Sequence, residues 1–310
     1  MYFPKRINIC EVGPRDGLQN EDIILKASEK AELINMCIDA GYREIEIGSF
    51  VHPKAVPALA DTEEVFKLIN YNKNIDLRAL VTNKKGVERA IIAGVEKIKL
   101  TVSASNSHNI SNFNKNTEKT IKDFKECYQL AKENNLFVSG AISTSFGCPF
   151  DGKIGIEKLD KIVINLIGIG ILEISLSDTT GMANPKEVYS KCKYFKEKYP
   201  EVKWNLHFHN TRDMGMMNIL AAMQAGMENF DTAFSGLGGC PFAPGASGNV
   251  CSEDLIHMCV ETGIETGIDL DEAIYISKKV EKLIKHKTDS FILKAGKIKD
   301  LAIEKPSIQH

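Results

Sequence analysis

The sequence predicts an α/β fold: a single (β/α)8 TIM barrel over residues 1–310, finished by a C-terminal helical extension. Three observations predict it. A β-rich run followed by an amphipathic stretch and a turn recurs eight times. A glycine stands just ahead of several of those runs, where a helix commonly ends in a left-handed residue. No linker rich in Pro, Gly or Ser divides the 310 residues, a length at which such barrels are routinely one domain. An open doubly wound sheet is the alternative. It rarely needs eight units, and no Gly-x-Gly-x-x-Gly follows the first run.

The predicted strands are Ile7–Gly13, Glu44–Phe50, Asp76–Val81, Lys97–Ser103, Leu136–Ser145, Ile171–Ser177, Lys203–His209 and Asn229–Phe234. Helical spacing fills the intervals. Leu33, Ile34, Cys37 and Ile38 share one face of a helix expected to start near Ser28, a favourable N-cap residue. Gly41, Gly94, Gly170 and Gly226 precede the second, fourth, sixth and eighth strands. After Asn249 the pattern is helical over Cys251–Thr262 and Asp269–Lys287. Residues 252–310 are therefore expected to supply the last barrel helix and the extension.

Composition narrows the partners. Lys and Arg total 39 against 41 Asp and Glu, a balance that argues against nucleic acid. Small anionic ligands need only a local basic site. The eight cysteines show no Cys-x-x-Cys spacing, which disfavours a structural zinc site, and they are too sparse for a disulfide scaffold. No window approaches 18 apolar residues, so no membrane span is expected. Met1–Arg6 carries no apolar run, which leads us to expect a cytoplasmic protein.

Active sites of such barrels sit at the C-terminal ends of the strands. That rule selects Arg15, Asp16, Glu46, Ser49, Asp178, His207, His209 and the stretch Gly236–Asn249. His207 and His209 are two apart on a strand, so both rings face one way. The first and seventh strands are both odd-numbered and feed the same layers of the lumen, so Asp16 can meet both histidines. One carboxylate and two imidazoles with open positions suit Mg, Mn, Co or Fe. A lone His-x-His is more often structural; the nearby Asp16 favours the metal reading. Arg15 can stabilise an oxyanion, or simply pair with Glu46 or Asp178. Gly236–Asn249 holds five glycines and Cys240, a composition that suits either a closing lid or a plain flexible loop. Ser103–Lys115 is polar and Asn-rich; it could contact a phosphorylated cofactor, but a solvated loop is the better reading.

These residues carry a family resemblance. Glu11–Glu21 (Glu-Val-Gly-Pro-Arg-Asp-Gly-Leu-Gln-Asn-Glu), Ser49–Lys54, Phe146–Phe150, Leu176–Gly181 and Gly236–Asn249 resemble the 3-hydroxy-3-methylglutaryl-CoA (HMG-CoA) lyases of the DRE-TIM metallolyase group. The resemblance runs from the first strand to about Glu253. It implies a divalent metal, Mg2+ or Mn2+, held by Asp16, His207, His209 and Asn249. It also implies Arg15 at the enolate oxygen, Cys240 as a mobile acid/base, and Glu46, Asp178 and Glu253 in support. The substrate is then an acyl-CoA, the assembly a homodimer, and the setting leucine degradation and ketogenesis. The implied chemistry is a retro-Claisen cleavage: His207 or Asp16 takes the 3-hydroxyl proton, C2–C3 breaks, and Arg15 stabilises the thioester enolate. One position departs from the family: Asn210 stands where His-x-His-Asp is usual, which leaves the acyl group open. A condensing synthase of the isopropylmalate or homocitrate type is one alternative, though such enzymes usually carry a long C-terminal domain and lack the Gly-Gly-Cys-Pro loop. A metal-binding homologue without turnover is another.

Overall fold

The structure, a computed structural model, describes residues 2–71, 74–239 and 248–300. Among them are eight strands: β1 (Asn8–Glu11), β2 (Glu44–Ser49), β3 (Asp76–Val81), β4 (Lys97–Ser103), β5 (Phe137–Ser143), β6 (Glu173–Asp178), β7 (Lys203–Phe208) and β8 (Asn229–Thr232). Each pairs in parallel with its neighbours, and β8 pairs back onto β1, which closes the barrel. The predicted strands therefore all exist, shortened mostly where their last residues leave the sheet to enter the site.

The helices are α1 (Ala27–Ala40), α2 (Thr62–Lys67), α3 (Lys84–Ala93), α4 (Asn106–Phe113), α5 (Thr117–Glu133), α6 (Ile156–Ile169), α7 (Pro185–Lys198), α8 (Gly215–Gln224), α9 (Ser252–Thr262), α10 (Leu270–Ile284) and α11 (Phe291–Ala295). In α1, Leu33, Ile34 and Cys37 are fully buried, as their spacing requires. The helix starts at Ala27, ahead of Ser28, because Glu29 reaches back to accept the Lys26 N–H at 2.8 Å. Gly41, Gly94, Gly170 and Gly226 all take positive φ, between 81° and 111°. The predicted terminal helices appear as α9 and α10, followed by the short α11.

Strand polarity explains where the core lies. Parallel strands buried on both faces usually read as continuous apolar runs. Here several alternate instead: Glu44-Ile45-Glu46-Ile47, Lys97-Ile98-Lys99-Leu100, Lys203-Trp204-Asn205-Leu206-His207-Phe208, and Asn229-Phe230-Asp231. The apolar members join the cluster between sheet and helices. Glu46, Arg78, Lys99, His207 and Asp231 meet one another across the barrel interior. The lumen is thus polar, and a chain of ion pairs runs through it to the site.

Candidate metal centre and active site

After β1 the chain winds into a single wide turn, Gly13–Gly17. The N–H groups of Arg15, Asp16 and Gly17 all converge on the Val12 carbonyl, at 3.1, 2.7 and 3.4 Å. Local widening of this kind is frequent at functional sites. It answers how two consecutive residues serve one site: in an extended strand they would face opposite ways, but in this turn Arg15 and Asp16 face each other. Arg15 Nη1 donates to Asp16 Oδ1 and Arg15 Nε to Glu46 Oε1. Of the two partners open to Arg15 from sequence, Glu46 is the one it meets.

Asp16 presents its other oxygen, Oδ2, to the histidines. It lies 3.8 Å from His207 Nε2 and 3.5 Å from His209 Nε2. Those two ring nitrogens are 3.0 Å apart. Ligand atoms at right angles, each about 2.1 Å from one ion, are also about 3 Å apart, so the pair has the spacing of adjacent positions around Mg2+. Asp16, His207 and His209 together place one ligand atom each within 4.8 Å of the others. Burial alone would raise the Asp16 pKa, but Arg15 and the two histidines outweigh it and hold the carboxyl well below the usual range.

Asn249 joins the cluster because its backbone pairs with that of His209 in an antiparallel bridge. Its Nδ2 donates to Asp16 Oδ2 at 2.7 Å and to the Leu237 carbonyl at 2.8 Å. Its Oδ1 is buried and finds no hydrogen-bond partner among the described residues; nor does His209 Nδ1. A buried amide oxygen without a donor costs free energy unless something else, such as a cation, satisfies it. The donor set of carboxylate, two imidazoles and amide oxygen therefore fits a divalent metal.

Of the remaining predicted residues, Glu46 meets this centre through Arg15, whereas Ser49, Asp178 and Glu253 bond to the backbone of neighbouring loops instead. Glu46 is fully buried, and Arg15, Lys99 and Arg78 together lower its pKa against the opposing effect of burial. Ser49 accepts the Val51 N–H at 3.2 Å and so shapes the loop after β2. Asp178 accepts the N–H groups of Met182 and Ala183, at 2.8 and 3.1 Å, and burial pushes its pKa up to about 6. Glu253, fully buried in α9, accepts the Ser235 N–H at 3.1 Å, and burial raises it to about 7. Asn210 Oδ1 accepts the Gly215 N–H at 2.9 Å, capping the entry to α8. Cys240 lies outside the described residues. The chain on either side is described: Gly238, at φ 101°, packs so closely on Asn249 Nδ2 and the Asp16 carbonyl that a Cβ would sit 2.7 and 2.8 Å from them.

A cavity of about 780 Å3 opens over the centre. Its walls include Asp16, His207 and His209, and also Asn20, His52, Val56, Ser111 and Lys115. The stretch after β4, read from sequence as a solvated loop, contributes here as helix α4. Its signals were a Ser N-cap and an Asn stop: Ser105 Oγ accepts the His108 N–H at 3.0 Å, and Asn114 ends the helix at φ 53°. Sequence reasoning also passed over Lys99 and Asp231, which line the same cavity. Attention to strand ends hid them; the polar alternation in the fourth and eighth strands was the signal that could have found them.

Comparison with known proteins agrees with this geometry. Residues 6–280 match the HMGL-like family. The chain is 39% identical over 282 residues to the hydroxymethylglutaryl-CoA lyase YngG of Bacillus subtilis, covering 91% of this chain and 94% of that protein. It is equally 39% identical over 302 residues to the (R)-citramalyl-CoA lyase of Chloroflexus aurantiacus, covering 94% and 95%. Among solved structures, an HMG-CoA lyase from Acinetobacter baumannii in complex with coenzyme A and 3-methylmalate superposes with a TM-score of 0.94 at 43% identity, covering 98% of this chain and all of that one. With the closed barrel and the Asp16–His207–His209 cluster already in place, these matches mean that the chain belongs to the HMGL-like family of HMG-CoA lyases.

Proposed function

We propose that this protein is a divalent-metal-dependent carbon–carbon lyase that cleaves HMG-CoA or a close analogue to acetyl-CoA and a keto acid. The observation that carries the reading is the convergence of Asp16, His207 and His209 beside Arg15 at the floor of a large cavity, in a chain of this family.

Asp16, His207, His209 and Asn249 would hold the metal. When bound, it would polarise the substrate's 3-hydroxyl and lower the pKa of that group. The chain's own residues do the rest. His207 or Asp16 takes the hydroxyl proton. As the C3–O bond becomes a carbonyl, the C2–C3 bond breaks and its electron pair passes into the thioester enolate. Arg15, fixed by Glu46 on one side and Asp16 on the other, offers its remaining N–H groups to that enolate oxygen. A proton delivered to C2 completes acetyl-CoA. Cys240 is the proposed donor: Gly239, which leads into it, already lines the cavity and accepts a hydrogen bond from Asn20 Nδ2 at 2.6 Å.

A second substrate has its own support. The identity to the (R)-citramalyl-CoA lyase equals that to the Bacillus lyase, and both substrates are 3-hydroxy-3-methylacyl-CoA thioesters. HMG-CoA would give acetoacetate, and citramalyl-CoA would give pyruvate. Mg2+ and Mn2+ are the metals expected. With HMG-CoA as substrate, the activity belongs to leucine degradation and ketogenesis. No described helix is long and apolar enough to cross a membrane, and a cytoplasmic homodimer is the expected form.

The test is to incubate the metal-loaded protein with each thioester and measure acetyl-CoA and the matching keto acid. Release from at least one, abolished by EDTA and restored by Mg2+ or Mn2+, is expected. Absence of acetyl-CoA from both with metal bound would overturn the lyase reading.

A further inference from the structure

The metal-facing cluster does not end at its ligands. His207 uses Nε2 toward Asp16 and His209, which leaves Nδ1 on the other edge of the ring. Across the β7–β8 ladder, His207 is in register with Asp231. Asp231 Oδ2 lies 3.6 Å from His207 Nδ1, and Asp231 is buried. This is longer than a hydrogen bond, but a closure of a few tenths of an ångström would make it one.

Asp231 is itself fixed from below. Its Oδ1 accepts from Arg78 Nη2 at 2.8 Å, and its Oδ2 accepts from Lys99 Nζ at 3.0 Å. Lys99 Nζ also lies 2.6 Å from Glu46 Oε2, and the other oxygen of Glu46 holds Arg15. One buried ammonium therefore touches both carboxylates beneath the site. One of them faces the ring of a ligand histidine, and the other holds the oxyanion donor.

We infer that Asp231 is the positioning residue for His207, fixing the tautomer that carries its proton on Nδ1 and leaves Nε2 free for the metal, which of the two candidate bases leaves Asp16 to take the hydroxyl proton, and that Lys99 ties this support to the Glu46–Arg15 arm. The inference rests on the metal-lyase reading above. A histidine ligand usually donates its second N–H to a carboxylate or carbonyl, and loss of that partner commonly costs 10–100-fold in metal affinity or activity. Lys99 is a compact charge that can meet two carboxylates at once, which keeps the two halves of the site in one frame.

Two measurements test it. The first uses the wild-type protein without metal. Long-range 1H–15N correlation of the histidine rings should show His207 protonated at Nδ1; protonation at Nε2 would overturn the inference. The second uses variants, with metal binding read apart from turnover by Mn2+ electron paramagnetic resonance. Asp231→Asn should weaken Mn2+ binding 10–100-fold, and Asp231→Glu should recover part of it. Asp231→Asn paired with Lys99→Met restores charge balance in the lumen. A folded double variant that still binds Mn2+ weakly is expected from positioning. A double variant with wild-type Mn2+ affinity would reduce Asp231 to a structural ion-pair partner. Should the wild type bind no Mn2+ and cleave nothing, the lyase reading itself falls. Should it bind and cleave while Asp231→Asn does so equally well, only the positioning role falls.

Discussion

The two ends of the barrel lumen hold similar residue types in opposite arrangements. At the N-terminal end, charges are matched. Lys97 pairs with Asp76 and lies 2.9 Å from Glu173; Lys203 lies 2.7 Å from Glu44; Arg78 lies 3.3 Å from Glu173; and Glu96 accepts the Tyr71 hydroxyl at 2.6 Å. A depression of about 860 Å3, comparable to the cavity over the site, opens there. At the C-terminal end, metal-ligating atoms converge on one point: two histidine nitrogens lie 3.0 Å apart beside Asp16 Oδ2, and Asn249 Oδ1 has no donor among the described residues. The difference teaches how to tell structural charge from functional charge. Matched pairs fill a lumen; unmatched donors that share one point await a ligand.

The sharpest break in this comparison is removal of the convergent set. Asp16→Asn, or EDTA treatment of the wild type, should take acetyl-CoA release to background, and Mg2+ or Mn2+ should restore only the wild type. Full turnover in metal-free protein would show that the convergence has another purpose.

Cys240→Ser comes next in size. Acid–base groups contribute about 10²–10⁴-fold, so turnover should fall by that order with metal content unchanged. Alkylation should inactivate the enzyme and substrate should protect it. The seven cysteines that are described are all buried, which makes Cys240 the expected target. Peptide mapping of the alkylated protein checks this.

Arg15→Gln should lower kcat about 10²–10³-fold, the effect of a lost oxyanion donor at roughly 2.7–4 kcal/mol. Mn2+ binding should persist, because Arg15 is not in the ligand set. A rate near wild type would make Arg15 an ion-pair partner only.

The matched end should behave in reverse. Lys97→Met should leave kcat within about twofold but lower the melting temperature. Breaking a buried pair costs at most about 3–5 kcal/mol, and less here, since Glu173 keeps Arg78 at 3.3 Å and Lys203 at 3.4 Å. A large loss of activity with unchanged stability would erase the distinction between the two ends.

The last effect concerns stability alone, at Glu11, which sits beside the Arg15–Asp16 turn. It accepts the Gly13 and Phe234 N–H groups at 2.7 and 2.9 Å and the Ser252 hydroxyl at 2.6 Å. Burial nevertheless raises its pKa from 4.5 to about 8. A raised folded pKa contributes stability that is complete below about pH 4.5 and is lost as pH climbs through 8. The melting temperature of wild type relative to Glu11→Gln should therefore decline across that window. A difference that is flat with pH would mean the three donors keep Glu11 ionised throughout.

The sequence by itself determined the periodic features. Eight runs and eight amphipathic stretches specify a closed parallel barrel because strand and helix periods are local properties of the chain. His207 and His209 were legible as a pair because residues two apart on a strand face the same way whatever surrounds them. Tertiary structure alone decided what depends on distant segments meeting. The turn that brings Arg15 and Asp16 together has no period to read; it exists because three N–H groups share the Val12 carbonyl. Asn249 reaches Asp16 only through the bridge to His209. Asp231 and Lys99, 132 residues apart, acquire their meaning only when barrel closure sets them 3.0 Å apart beneath the histidines. Local pattern fixes which way a side chain points, but only closure of the sheet fixes what it points at.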